Sequence, residues 1–384
     1  MRGNNAFAFD LYHALSDGES NLFYSPFSIS QALAMTSSGA RGETQRQMAD
    51  TLHHRLPQSG LHPAFNALER TLASRGEGPP GTPNDADGTG QYFRLNIANA
   101  VWGQEGYHFL PDFLDVLAEH YGAGMMAVDF VGAPDESRVR INDRVAEETS
   151  GKVKDLLPPG IIDRSTRLVL TNAVYFNASW LWPFSPRDTE IRPFHLDGGG
   201  MVMVPMMTET SKDFYGHATG DGYQVVDLPY SWGELSMTVL LPDHGALEEF
   251  EGSLDSEMLD RIIDDIEIDY ITLTMPLFEF ESEFDLGDTL AAMGMPDAFG
   301  ARADFSGMTG SRDLWIRAVV HKAFVSVDEK GTEAAAATGV VMLESGISKE
   351  PIAVTVDRPF VFLIRDNGTG TALFLGRVSN PAPE

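Results

Sequence analysis

Residues 328–346, Asp-Glu-Lys-Gly-Thr-Glu-Ala-Ala-Ala-Ala-Thr-Gly-Val-Val-Met-Leu-Glu-Ser-Gly, read as a strand that has no sheet of its own. Thr332, Ala334, Ala336, Thr338, Val340 and Met342 share one parity and are all small or apolar and uncharged. The opposite parity carries Gly331, Glu333, Ala335, Ala337, Gly339 and Val341, so the one charge within the run falls on a single face, as a strand laid over a core requires. Nothing in the central run is bulky enough to resist passage between two other strands. An alanine run by itself favours helix, so the alternation and the composition point in different directions.

The rest of the chain must then supply a sheet. It has 384 residues, 43% of them hydrophobic, enough for a large core and ordinarily for two or three domains. Only Arg75 to Gly90, crowded with Gly, Pro and Asp, resembles a linker, and it lies too near the N-terminus to divide two cores. The expectation is one domain over 1–384 with a surface loop at 75–90. No apolar run has membrane-spanning length, and no basic segment followed by an apolar one opens the chain, which reads as soluble without a signal peptide. Cysteine is absent, excluding disulfides, thiolate metal sites and a cysteine nucleophile. The net charge is −29 (27 basic, 56 acidic), and no Lys/Arg cluster occurs, which argues against nucleic acid or sulfated sugars as partners.

Helical spacing marks Asn4 to Leu15, Phe27 to Ser37, a start at Gly42, and 61–74, 111–121, 134–149 and 285–293. Short β-branched and aromatic runs mark strands at 92–103, 125–130, 167–176, 223–230, 235–241, 269–281 and 314–328. Phe360–Arg365 and Thr371–Val378 flank Asp366-Asn367-Gly368, a hairpin signal. Helices concentrate in the first half and strands in the second, which predicts an α+β fold.

Enzyme chemistry finds no support. No nucleophile elbow, zinc-binding helix motif, phosphate loop or dinucleotide fingerprint is present. Asp85-Ala-Asp87-Gly88 starts like a calcium loop but lacks the downstream Glu ligand. The ten histidines offer no metal-ligand spacing with a third ligand nearby; His53 and His54 are adjacent and point to different faces if helical. His321 shares parity with Ala323, Val325 and Val327 and so faces the core. It reads as a histidine satisfied by neighbouring polar side chains, since no nucleophile or orienting carboxylate accompanies it. No metal and no cofactor is expected.

Seven segments in order then resemble the serpins, the serine protease inhibitor superfamily. They are Asn21-Leu-Phe-Tyr-Ser-Pro-Phe-Ser-Ile-Ser30, Ser38-Gly-Ala-Arg-Gly-Glu-Thr44, Thr171-Asn-Ala-Val-Tyr-Phe176 with Trp180, Ala303-Asp-Phe-Ser-Gly-Met308, His321-Lys-Ala-Phe324, Asp328-Glu-Lys-Gly-Thr-Glu-Ala-Ala-Ala336 and Arg358-Pro-Phe-Val-Phe-Leu-Ile364. The resemblance implies three β-sheets, eight or nine helices and an exposed reactive-centre loop, here 330–350, in an inhibitory member of prokaryotic type. It further implies that a protease attacks the loop as a substrate. At the acyl-enzyme stage the loop's first part inserts into the largest sheet, carrying the protease with it and preventing deacylation. Loop insertion of this kind is a known property of the superfamily, an established example of strand addition and of released strain.

The resemblance also assigns sites. Glu329, Gly331, Thr332, Glu333, Ala334, Ala335, Ala336, Ala337 and Thr338 match the loop hinge, whose inward residues are free of charge and bulk. Gly331 gives the pivot backbone freedom. Ser25, Ser28, Asn172 and His321 match the shutter, a hydrogen-bond cluster beneath the centre of the sheet. Trp180 and Glu329 match the breach, where insertion begins. The family often pairs that glutamate with a lysine following a strand Pro, whereas Pro276 is followed here by Leu277, so Glu329 needs another partner or water. Counting along the loop puts the scissile bond at Ser345–Gly346, with Glu344–Ser345 as the alternative and cleavage after Met342 or Leu343 conceivable.

The implied partner is a serine protease with an elastase-like or subtilisin-like pocket, and papain-like cysteine proteases are a further class. The alternative is a non-inhibitory, binding or chaperone-like serpin. Heparin is not expected, because 61–74 offers only Arg70 and His62. A monomer is expected, with no membrane association. Family resemblance points to an extracellular setting, with cytoplasmic as the alternative.

Overall fold

The computed structural model describes residues 2–75, 93–122, 125–332 and 350–383. In chain order its first half carries α1 (Arg2–Leu15), β1 (Leu22–Tyr24), α2 (Pro26–Ser37), α3 (Gly42–Thr51), α4 (Gln58–Ala73), β2 (Phe93–Gln104), α5 (Pro111–Tyr121), β3 (Met126–Val128), α6 (Pro134–Glu148) and β4 (Leu168–Ser179). There follow β5 (Glu190–His195), β6 (Met201–Gly220), β7 (Tyr223–Pro229), β8 (Leu235–Pro242), α7 (Leu247–Ser253), α8 (Ser256–Asp264), β9 (Glu267–Pro276), β10 (Phe278–Asp285), α9 (Gly287–Met293) and the single turn α10 (Ser306–Thr309). The chain closes with β11 (Val319–Asp328), β12 (Gly331–Thr332), β13 (Ile352–Thr355), β14 (Phe360–Asp366) and β15 (Ala372–Val378).

Six strands form one sheet in the order β10-β11-β12-β4-β2-β3. The other nine form a continuous hydrogen-bonded assembly, β1-β15-β14-β8-β7-β6-β9-β13 with β5 on β6. The long β6 divides that assembly in two. Its first part pairs with β5, its second with β7, and its register against β9 shifts between Ser211 and Tyr215. Two sheets thus share one bent strand, and the six-stranded sheet is the third.

Both faces of the six-stranded sheet are covered, which is why β4 is buried along nearly its whole length. Leu170, Val174, Phe176 and Ala178 join the main core beneath, and Val169 and Ala173 join a second core in which Ile141 and Val145 of α6 pack with Trp102 and Val320. All twelve residues of α2 are buried, so it crosses the main core with no solvent face. Pro26 opens it without forfeiting a helical hydrogen bond, and Ser25 caps it by accepting the Ser28 amide N–H.

Several sequence expectations are corrected. The run 269–281 is two strands in two sheets: β9 ends at Pro276, and the Leu277 N–H donates instead to the Pro205 carbonyl. The run 314–328 becomes a strand only at Val319. His53 and His54 lie beyond the end of α3, not on a helix. His62 is buried and offers no surface cation. Eight or nine helices were implied; ten α-helical segments stand among the described residues with the single turn α10 counted.

Arg75, assigned to the surface loop, is held in place. Its guanidinium donates to the fully buried Asp366 carboxylate at 2.7 Å and to Glu234 at 3.2 Å, tying the end of α4 to the turn of the β14–β15 hairpin. Arg75→Ala removes Asp366's cationic partner and is expected to cost about 3 kcal/mol. At roughly 2.1 cal/mol/K of unfolding entropy per residue over 384 residues, that is about 4 °C in a thermal melt. An unchanged midpoint would show that the pair does no stabilising work.

Candidate functional site: the seam between two parallel strands

The neighbours β4 and β11 run parallel, with residues 170–174 of one opposite 319–323 of the other and Asn172 facing His321. Above that stretch the strands part. Gly331 and Thr332 lie between them as β12, antiparallel to both, with Thr332 opposite Val327 on β11 and Ala178 on β4. The first described residues of the 328–346 segment therefore already occupy a place within the sheet. Glu333, Ala334, Ala335, Ala336, Ala337 and Thr338, and the bonds at Ser345–Gly346 and Glu344–Ser345, lie outside the described residues.

Local chemistry explains the turn that brings β12 back. The Asp328 carboxylate accepts the N–H groups of Lys330 at 2.8 Å and Gly331 at 3.2 Å, closing an Asx-type turn after β11. Gly331 sits at φ 156°, and a Cβ there would stand 2.1 Å from the Ala178 carbonyl oxygen, so only glycine fits against β4. Thr332 points inward and is buried, and its hydroxyl is 2.7 Å from that of Tyr230.

Trp180 and Glu329 are brought together at this end. The Trp180 ring stacks on Tyr230 with centroids 4.7 Å apart, and its indole N–H donates to the Asp328 carbonyl. Its backbone N–H donates to the Lys330 carbonyl, while the Phe184 N–H donates to that of Glu329. The Glu329 carboxylate accepts the Thr189 hydroxyl at 2.7 Å, which supplies the partner left open by Leu277.

Ser25, Ser28, Asn172 and His321 converge lower down the seam, and all four are buried. The Ser25 backbone N–H donates to His321 Nε2 at 3.2 Å, which leaves the ring proton on Nδ1 to donate to Asn172 Oδ1. The Asn172 amide nitrogen donates to Ser28 Oγ at 2.5 Å and to Asn99 Oδ1, and Ser28 Oγ donates to Asn99 Oδ1 at 3.1 Å. The Ser25 hydroxyl donates to the Leu373 carbonyl. A ring of polar side chains thus bridges β2, β4, β11 and α2 inside an apolar core.

Asn99, Tyr230 and Thr189 were missed from the sequence. Asn99 carried a signal: it is the polar member of an inward face made by Leu95, Ile97 and Val101. The other two reach partners more than 100 residues away and carried none.

Burial holds His321 well below an ordinary imidazole, at about 3, the Asn172 hydrogen bond opposing only weakly. Burial likewise lowers His54 and His62 to about 4. Each stays neutral in the folded chain, whereas the unfolded chain takes up its proton near pH 6.5. Their contribution to stability is complete above pH 6.5. It is lost as pH falls, down to about 4 for His54 and His62 and about 3 for His321, at about 1.4 kcal/mol per pH unit for each imidazole. Burial lowers His217 as well; thermal midpoints measured from pH 7 to 4.5 should therefore fall, and His321→Gln should remove about a quarter to a third of the histidine part of that slope. Identical slopes in the two proteins would rule out a neutral His321.

No helix among the described residues is long and apolar enough to cross a membrane, and no three His, Cys, Asp or Glu side chains there are placed to hold a metal ion. A family model described as Serpin (serine protease inhibitor) matches residues 2–381. The chain is 40% identical to the leukocyte elastase inhibitor of Sus scrofa, covering 98% of each protein. It is also 40% identical to an uncharacterized serpin-like protein of Thermococcus kodakarensis, covering 98% of this chain and 84% of that one. Among solved structures, thyroxine-binding globulin in complex with thyroxine superposes with a TM-score of 0.85 at 31% identity, over 100% of this chain and 99% of that one. The parted seam, the polar ring beneath it and these likenesses agree: the chain belongs to the serpin family of serine protease inhibitors.

Proposed function

We propose that the chain is a suicide-substrate inhibitor of serine endopeptidases, trapping the acyl-enzyme when the cleaved loop inserts between β4 and β11. One observation carries this reading. The β12 pair is in register with both neighbours at once, and the offset it imposes between β4 and β11 equals the offset at which those strands already pair lower down. A strand continuing from Thr332 needs no register slip in either neighbour.

Extending that register assigns each following residue. Ala334 would lie between Phe176 and Val325, Ala336 between Val174 and Ala323, and Thr338 between Asn172 and His321, all facing the main core. Small side chains suit the first two places. At the third, insertion separates Asn172 from His321, and the Thr338 hydroxyl can accept the imidazole N–H and donate to the amide oxygen, so neither buried group is left unpaired. Ser25, Ser28, Asn172 and His321 act in this reading as the shutter, and Trp180 with Glu329 as the breach. The whole chain acts as one domain, and cleavage falls at Ser345–Gly346. Ser345 fits a small or permissive pocket, and the pig relative is named for inhibiting an elastase.

Incubation with elastase, subtilisin and chymotrypsin tests the proposal. The expected product is an SDS-stable complex whose intact mass equals protease plus this chain less the peptide beyond Ser345. Cleavage without a complex across a broad panel would instead support a non-inhibitory binding role, and a released peptide beginning outside 343–348 would overturn the assigned bond.

A further inference from the structure

The ring beneath the seam does not end at Asn99. The Asn99 amide nitrogen donates to the Ser28 carbonyl at 3.1 Å and to Gln31 Oε1 at 2.9 Å, and Gln31 Nε2 in turn donates to Glu69 Oε2 at 2.8 Å. Gln31 lies on α2 and Glu69 on α4, at the half-buried flank of the molecule. Five side chains, His321, Asn172, Asn99, Gln31 and Glu69, thereby form one line of hydrogen bonds from the centre of the sheet to a surface helix.

The line has a direction. An ionised carboxylate can only accept, so Glu69 fixes the Gln31 amide with its nitrogen outward and its oxygen toward Asn99. That oxygen and the Ser28 carbonyl together hold Asn99 with its nitrogen toward α2 and its oxygen toward the Ser28 hydroxyl and Asn172. Asn172 must then present its nitrogen to Asn99 and its oxygen to His321, matching the Nδ1–H form of the ring that the Ser25 backbone N–H imposes at Nε2. Turning any one amide over sets donor against donor at the next link.

We propose that Glu69 and Gln31 are positioning residues that polarise the shutter, reinforcing the Asn172–His321 bridge that closes β4 on β11. The consequence for inhibition rests on the function proposed above, whereas the relay itself does not. Burial raises the Glu69 carboxyl above the ordinary range, opposed by the Gln31 hydrogen bond. Gln31 on α2 faces it, and Tyr121 on α5, bonded to His62 of α4, bears on its charge.

The test uses the full chain labelled with ¹⁵N-histidine at pH 7, without protease. Wild type should show His321 protonated at Nδ1 alone. Glu69→Ala and Gln31→Ala should shift the His321 Nδ1–H signal as its hydrogen bond to Asn172 loosens, with the proton still on Nδ1. They should also speed exchange of the amides in the 170–174 and 319–323 ladder about fivefold, the worth of one hydrogen bond. Glu69→Gln keeps an acceptor oxygen and should match wild type in both. Unchanged His321 signals in both alanine variants, an unchanged exchange rate, or a Glu69→Gln variant that moves as far as Glu69→Ala would each overturn the proposal. Failure to trap a protease would sink the inhibitor reading and leave this result standing.

Discussion

Thr338→Arg is expected to convert the chain from an inhibitor into a substrate. In the register set by β12, residue 338 arrives inside the main core between Asn172 and His321, where a guanidinium finds no carboxylate partner among the ring residues. The effective cost of burying such a charge is several kcal/mol. Even about 3 kcal/mol on the insertion barrier slows it roughly 100-fold, while hydrolysis of the acyl-enzyme is untouched. The stoichiometry of inhibition, moles of chain consumed per mole of protease silenced, is one plus the ratio of hydrolysis to insertion rates, and that ratio should rise by about two orders of magnitude. Glu333→Arg is the matched control. Residue 333 would lie between Asn177 and Ser326 on the opposite face and already carries a charge, so its stoichiometry should stay within about threefold of wild type. A Thr338→Arg variant that still inhibits near one to one would show that residue 338 does not enter the sheet.

Cutting the loop with a protease that is then removed should raise the melting temperature sharply. An inserted strand bonds to two neighbours, and after the direct β4–β11 bonds are lost the net gain is about ten ladder hydrogen bonds at about 1 kcal/mol each. With an unfolding entropy near 0.8 kcal/mol/K for 384 residues, the midpoint should rise by about 12 °C. A cleaved chain that melts where the intact one does would exclude a stable insertion.

Much of this was legible in the sequence because it depended on parity alone. The burial of Thr332 and His321 follows from alternation, and the hairpin around Asp366-Asn367-Gly368 follows from its turn residues. The order of seven motifs identified the family and thereby the grouping of Ser25, Ser28, Asn172 and His321. What escaped depended on partners distant in the chain. Pro276 sits in an unbroken apolar run, and only the third dimension shows that Leu277 leaves for another sheet. The long bent β6 mixes Met, Thr and Gly without a clean period, and α7 and α8 are too short and acidic to announce themselves, although Asp255 caps α8 through the Met258 N–H. Gln31 is one polar residue in a buried helix, and its hydrogen bond to Glu69 exists only because α4 packs against α2.

The crystal structure of the loop-cleaved protein tests loop insertion most directly. Residues 333–340 should stand as a strand between β4 and β11, with Thr338 bonded to Asn172 and His321 and no remaining pairing of 170–174 with 319–323. A cleaved chain in which Asn172 still faces His321 across an unopened seam would contradict insertion as the basis of inhibition.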